Sequence, residues 1–330
     1  MKRNCRPIVL VVTLLFMTLA FANPAISIET QRTDLSGIKV AVYEGVIDEQ
    51  SSSLSSRTAL FWMFRWMNAT VDVVTAADIR NDILSDYDII AVPGGWAWAY
   101  FQDLTNSGIV KIRNFVENGG AFFGVCAGAY FACDNIRWEG ENIGYFLDLY
   151  PNLGIGPIEE IAAWPGHNMT MINLNKEVTG PDLSGEPDSH TVMYYGGPYF
   201  ETAGTDGVSV IATYDVNDEP AIISYEYGQG RIVLSGPHVE WEEDSDRDGV
   251  AWENVYDDEG SEWDMMLQIG LWLSENGFET ATTTPTTTSF STTTAEPSPT
   301  LPPMEIEPAL GLVAIVAILV IAVIADRLRK

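Results

Sequence analysis

Gly119-Gly120-Ala121-Phe122-Phe123-Gly124-Val125-Cys126-Ala127-Gly128-Ala129-Tyr130-Phe131-Ala132 decides how this chain folds. Asn118-Gly119-Gly120 closes a helix read over residues 109–117, glycine being a common stop just past a helix end. Residues 121–125 are apolar without alternation, the pattern of a strand covered on both faces. The chain then turns through Gly124-Val125-Cys126-Ala127-Gly128 into a helix. Glycines on either side let the backbone crowd together and present the middle side chain, as on a strand-to-helix turn that carries a nucleophile. A helix N-terminus favours the thiolate form of a cysteine. The amide of Ala127 points where an oxyanion would form.

Working outward, residues 38–43, 71–74 and 88–92 read as strands. Residues 54–67, with Leu60, Phe61, Phe64 and Met67 at helical spacing, and residues 76–84 read as helices. Further strands are expected at 169–174, 208–214, 221–227 and 231–235, with a hairpin turn at Tyr227-Gly228-Gln229-Gly230. Residues 263–276 form a closing amphipathic helix with Met266, Leu267, Ile269, Gly270 and Leu273 inward. Strands alternating with helices predict an α/β fold, a mostly parallel central sheet with helices on both faces. Sites in such sheets lie at the carboxyl ends of the strands, which are here Pro93-Gly94-Gly95, Cys126 and Gly236-Pro237-His238.

A thiol nucleophile needs a base. Of the three histidines, His167, His190 and His238, the last follows a strand, and Glu240 lies on the same side of an extended chain two residues on. Glu240 is placed to orient the imidazole; the plain alternative is a structural histidine. Gly95 supplies a candidate second oxyanion amide, or else belongs to a plain tight turn. Trp96, Trp98, Tyr100, Tyr130, Tyr195, Gly197 and Tyr199 are candidate pocket residues for a peptide, sugar or planar amide. Cys133 reads as a buried small hydrophobe. Seven residues along one helix start would put it about 10 Å from Cys126, too far for a disulfide. The chemistry requires no cofactor. Asp244-Ser245-Asp246-Arg247-Asp248-Gly249 resembles the start of a calcium loop, with Asp244, Asp246 and Asp248 as candidate ligands. Position twelve is Val255 rather than Glu, which excludes a standard EF-hand and leaves Asp257, Asp258 or Glu259 as substitutes. The alternative is a solvated acidic loop.

The ends of the 330-residue chain carry their own signals. A basic start, the apolar run 8–21 and Ala20-Phe21-Ala22 make residues 1–22 a signal peptide, or else an uncleaved anchor. Residues 279–308 are a Thr/Pro-rich stalk, 309–325 an apolar run long enough to be a C-terminal transmembrane helix, and 326–330 a basic tail. Positive residues stay inside, so the expected product is a single-pass cell-membrane protein with an extracytoplasmic domain over 23–278 and a cytoplasmic C-terminus. The alternative is a tail that is cut and replaced by lipid. Asn68-Ala69-Thr70 and Asn168-Met169-Thr170 are glycosylation sequons. A net charge of −29 repels phosphates and argues against a nucleic-acid partner.

Pro93-Gly94-Gly95, Gly124-Val125-Cys126-Ala127-Gly128 and Gly236-Pro237-His238-Val239-Glu240 together resemble the three signatures of the class I glutamine amidotransferase-like superfamily. The run 119–132 and Tyr194-Tyr195-Gly196-Gly197-Pro198-Tyr199-Phe200 are most similar to the amidotransferase-like domain at the N-terminus of some biotin-protein ligases. The resemblance spans roughly residues 37–278 and implies a flavodoxin-like three-layer sandwich with a Cys126-His238-Glu240 triad. Two departures stand out. Ala129-Tyr130-Phe131 follows the elbow where the glutaminases carry a substrate-binding Gln, and His238-Val239-Glu240 replaces their His-Pro-Glu. The first weakens glutamine as the substrate, and so does an extracytoplasmic location. No ligase catalytic sequence follows, so the resemblance does not imply biotin transfer. Three functions remain in view. One is a Cys-His-Glu hydrolase on an amide or acyl bond of a small molecule or peptide. Another is an inactive ligand-binding surface module, and the third a structural surface protein ordered by calcium.

Overall fold

Each inner strand sends alternate residues to opposite layers, and the computed structural model of the protein shows where they go. In β1 (Lys39–Tyr43), Val40 and Val42 pack in one core, and Ala41 and Tyr43 in another. β4 (Ala121–Val125) divides in the same way, with Phe123 and Val125 opposite Phe122. The first core is closed by α1 (Ser53–Trp66), through Leu60, Met63 and Phe64, and by α5 (Trp263–Ser274), through Met266, Ile269 and Leu273. The second is closed by α2 (Ala76–Arg80), α3 (Ala97–Glu117) and α4 (Ala127–Ala132). The result is helix, sheet, helix, an α/β arrangement compatible with a flavodoxin-like three-layer fold. The described residues are 32–45, 53–144, 147–243, 245–256 and 260–275. The signal, stalk and anchor segments, Asp244, and residues 257–259 lie outside them.

The remaining strands are β2 (Thr70–Val74), β3 (Ile89–Val92), β5 (Cys133–Trp138), β6 (Glu141–Ile143), β7 (Tyr150–Gly156) and β8 (Asn168–Leu174). β9 (Ser189–Tyr194), β10 (Tyr199–Phe200), β11 (Ser209–Tyr214), β12 (Pro220–Tyr227) and β13 (Gly230–Ser235) complete the set. The large sheet runs β2-β1-β3-β4-β13-β12-β11-β8-β9. Its first five strands are parallel, in the order of a doubly wound fold. From β13 onward every pairing is antiparallel, so the sheet is mixed. A second sheet, β10-β7-β5-β6, was not expected from the sequence.

Several local expectations change. The helix expected over 109–117 is the second half of α3, which begins at Ala97 and breaks at Thr105 (φ 55°, ψ 172°). The helix expected over 76–84 stops at Arg80 and resumes as a 3-10 turn over Ile83–Asp86, after left-handed Asp82. Its start is fixed by a capping box in which Thr75 and Asp78 exchange hydrogen bonds. Cys133 opens β5 instead of continuing the helix of Cys126, and the two thiols are unpaired. In α5 Leu267 is half-buried, while Met265 joins the inward face. Both sequon asparagines, Asn68 and Asn168, are exposed. Among the described residues no helix is long and apolar enough to cross a membrane, and residues 309–325 lie outside those described.

Candidate active site

β3, β4 and β13 are adjacent and parallel, so their carboxyl ends share one edge. The amide of Cys126 donates to the Ser235 carbonyl at 2.9 Å, tying the end of β4 to that of β13. The backbone reverses at Cys126 itself (φ 48°, ψ −106°), a left-handed conformation that costs a non-glycine residue about 1–3 kcal/mol. The flanking glycines make the reversal possible. A Cβ on Gly128 would stand 2.1 Å from the Val92 carbonyl oxygen, and one on Gly124 would stand 2.7 Å from the Gly128 oxygen. The Gly128 amide donates to Pro93 at 3.0 Å, closing the elbow against the end of β3. Cys126 is 6% exposed, and its Sγ lies 3.6 Å from the Tyr195 carbonyl oxygen.

His238 comes from the turn after β13, and its amide donates to the Met193 carbonyl at 2.8 Å. Its Nδ1 lies 2.8 Å from Glu240 Oε1, and both side chains are fully buried. The ring lies flat on Trp241, with centroids 3.8 Å apart and planes 4° apart. Gly94 leaves room for both catalytic candidates. A Cβ there would meet His238 Cε1 at 2.5 Å and Cys126 Cβ at 3.4 Å. His238 Nε2 has no hydrogen-bond partner among the described residues, yet Cys126 favours the charged ring electrostatically. Burial disfavours the imidazolium, but Glu240 and then Cys126 outweigh it and raise His238 to about 10. The ring therefore holds its proton at neutral pH, with Nδ1–H facing the carboxylate.

Ser56 joins the parts. Its hydroxyl donates to Glu240 Oε1 at 2.6 Å and accepts from the Gly94 amide at 2.8 Å. The Tyr100 hydroxyl donates to the Gly94 carbonyl at 2.5 Å and pairs with Ser53 Oγ at 3.0 Å. The glycine loop is thus held to α1 and, through Ser56, to the carboxylate that orients His238. With the loop so held, the amides of Gly95 and Ala127 have no hydrogen-bond partner among the described residues. Behind His238, Trp263 Nε1 donates to the Glu240 carbonyl at 3.1 Å. Burial, together with Asp248 and Glu240, pushes Glu253 up to about 8.

Trp96, Tyr130 and Tyr195 line a pocket of about 90 Å³ that opens onto Cys126, and Trp98 joins them. Gly197 does not line it. A Cβ there would lie 1.8 Å from the Gly236 carbonyl oxygen, so this residue lets two turns pack together. Tyr100 lies beneath the glycine loop, and Tyr199 belongs to β10. Burial pushes the Cys133 thiol far up, and it donates to the Ala129 carbonyl at 3.3 Å, as an inert core residue would. His190 sits 3.7 Å from Glu262, away from the thiol's partners, and His167 packs among Tyr195, Trp252 and Tyr256.

The candidate calcium ligands diverge. Asp246 is exposed and accepts from Asn254 Nδ2 at 2.5 Å, whereas buried Asp248 accepts from the amides of Val250 (2.9 Å) and Glu242 (3.2 Å). Among the described residues no group of three or more His, Cys, Asp or Glu side chains converges as a metal site; Asp244 lies outside them.

The sequence reading missed Ser56, Trp138, Trp164 and Trp241. A signal existed for Ser56: with Ala59, Leu60 and Met63 it falls on the apolar stripe of α1, where a small polar residue needs a partner. Trp138 and Trp164 reach the pocket from β5 and from the segment after β7, which no sequence spacing links to Cys126.

Residues 38–263 match the family described as "Biotin-protein ligase, N terminal". An uncharacterized protein of Chlamydia muridarum is 33% identical over 163 residues, covering 46% of this chain and 60% of that protein. A biotin–protein ligase of Schizosaccharomyces pombe is 29% identical over 166 residues, covering 46% of this chain and 25% of that enzyme. The match therefore takes in less than two thirds of either relative. A crystal structure of a glutamine amidotransferase aligns with a TM-score of 0.45 at 19% identity, over 61% of this chain and 90% of that one.

Proposed function

The chain belongs to the biotin-protein ligase N-terminal family, and from that premise we propose an extracytoplasmic, membrane-anchored Cys-His-Glu hydrolase that cleaves an amide or related acyl bond. The observation that carries the reading is the strained Cys126 turn facing an imidazole that Glu240 holds at 2.8 Å. In the proposed reaction the Cys126 thiolate attacks the carbonyl carbon and forms a C–S bond, while the Gly95 and Ala127 amides hold the oxyanion. Collapse breaks the C–N bond, and His238 gives its proton to the leaving amine. Water, deprotonated by His238, then attacks the thioester. The acid leaves, the thiolate is restored, and the sum is amide plus water to acid plus amine.

The test is alkylation of the full chain by iodoacetamide at pH 7, mapped by mass spectrometry. Cys126 should react at least about tenfold faster than free cysteine, with Cys133 untouched. A rate no greater than that of free cysteine sinks the nucleophile, and the pocket then reads as a ligand-binding module.

The export and anchoring readings rest on the basic and apolar end segments. Protease added to intact cells should remove the domain and leave a short membrane-bound remnant. A domain protected until the cells are lysed would reverse the orientation.

A further inference from the structure

We infer that the pocket over Cys126 takes an uncharged aromatic acyl group and rejects free amino acids such as glutamine; this deepens, and rests on, the reading of Cys126 as the acyl acceptor. The wall is continuous in rings. Tyr130 meets Trp138 at 5.8 Å, Trp138 meets Trp164 at 5.2 Å, and Trp164 meets Tyr195 at 5.7 Å between centroids. Edge-to-face and tilted contacts of this kind fix each ring and leave flat faces for a further one. Among the described residues no Asp, Glu, Lys, Arg or His lines the pocket.

Glutamine carries an ammonium and a carboxylate close to its amide. Desolvating either without a charged partner costs several kcal/mol or more, and the lining offers only neutral groups. The Tyr130 hydroxyl is already spent on the Gly196 carbonyl at 3.3 Å. The polar groups of the lining beside Cys126 are its thiol, the Tyr195 carbonyl 3.6 Å from the sulfur, and the amides of Gly95 and Ala127, which have no partner among the described residues and suit a carbonyl. Trp96 and Trp98 stand at the mouth 49% and 44% exposed, an apolar rim that a bound ring would cover. The enclosed cavity is about 90 Å³, smaller than the ~150 Å³ that takes a whole benzene, so a bound ring would extend into the open mouth between Trp96 and Trp98. The chain's net charge of −29 disfavours anionic ligands besides.

The experiment uses the full chain carrying Cys126→Ala, so that binding is read without reaction. Phenylacetamide and glutamine are titrated and followed by tryptophan fluorescence and ligand-observed NMR. Phenylacetamide should bind at least about tenfold more tightly than glutamine, and Trp164→Ala in the same background should weaken it about fivefold or more. Absence of phenylacetamide binding, or glutamine binding as tightly, overturns the inference. A second arm treats the wild-type chain with benzyl chloromethyl ketone, whose ring lies on the acyl side of the carbonyl, and with 2-amino-5-chloro-4-oxopentanoic acid, its amino-acid counterpart, each normalised to its reaction with glutathione. Preference for the benzyl reagent at Cys126 supports the assignment, and equal normalised rates, where both reagents label Cys126, overturn it. If phenylacetamide binds as expected while neither reagent reaches Cys126, the pocket assignment stands and the nucleophile reading fails.

Discussion

Exchanging Glu240 for glutamine should lower the midpoint of thermal unfolding at pH 7 by on the order of 10 °C, from a loss of about 3 kcal/mol. The substitution keeps the shape of the side chain and removes only its charge. His238 and Glu240 are both fully buried and 2.8 Å apart, so neither has water to replace a lost partner. The imidazole limits the damage by giving up its proton, which places the cost at the low end for a broken buried pair. The pH profile provides the sharper readout. His238 moves from an ordinary 6.5 to about 10 in the folded protein. A group raised on folding contributes its full stabilisation below its unfolded value, and loses it as pH climbs through the folded value. Wild-type stability should therefore fall between pH 6.5 and about 10 from this group, and the Glu240→Gln protein should lack that slope. Melting curves across the window check both statements. A variant that melts within 2 °C of wild type (roughly 0.6 kcal/mol on the same scale), with the same slope, would mean that the carboxylate does not hold the imidazolium.

Gly128→Ala should prevent the domain from folding, or destabilise it by about 3 kcal/mol or more. The new methyl would stand 2.1 Å from the Val92 carbonyl oxygen and 2.8 Å from its carbon. Both are backbone atoms of a central strand, hydrogen-bonded into the sheet, and cannot rotate aside as a side chain would. Retreat in the other direction strains the bond from the Gly128 amide to Pro93 and opens the elbow that presents Cys126. Gly185→Ala is the matched control, because a Cβ there meets nothing within 4 Å. Soluble yield and denaturant midpoints separate the two variants. A Gly128→Ala protein as stable as the Gly185→Ala protein would show that the end of β3 yields, and that the elbow is less tightly built than described.

The Cys126 turn and the His238–Glu240 pair were legible because each obeys short-range rules. A strand buried on both faces writes itself as residues 121–125, and period two places His238 and Glu240 on one side of an extended segment. The first half of α3 was not legible. Its N-cap is Trp96, without a capping side chain, and the break at Thr105 interrupts the helical period. The second sheet escaped because β6 and β10 are two or three residues long, and the burial of β7 does not alternate. Ser56 announced itself only as a polar residue on an apolar stripe. Its bond to Glu240 spans 184 residues of chain.

By itself the sequence determined the three-layer α/β arrangement, the elbow at Cys126 and the pairing of His238 with Glu240. Each follows from periodicity or from backbone freedom within a few residues. Only the tertiary structure decided that β3, β4 and β13 end side by side, that Ser56 links the glycine loop to the carboxylate, and that rings from four separate segments wall the pocket. These are contacts between distant positions, settled by how layers pack and which buried polar groups find partners, and no local pattern encodes them.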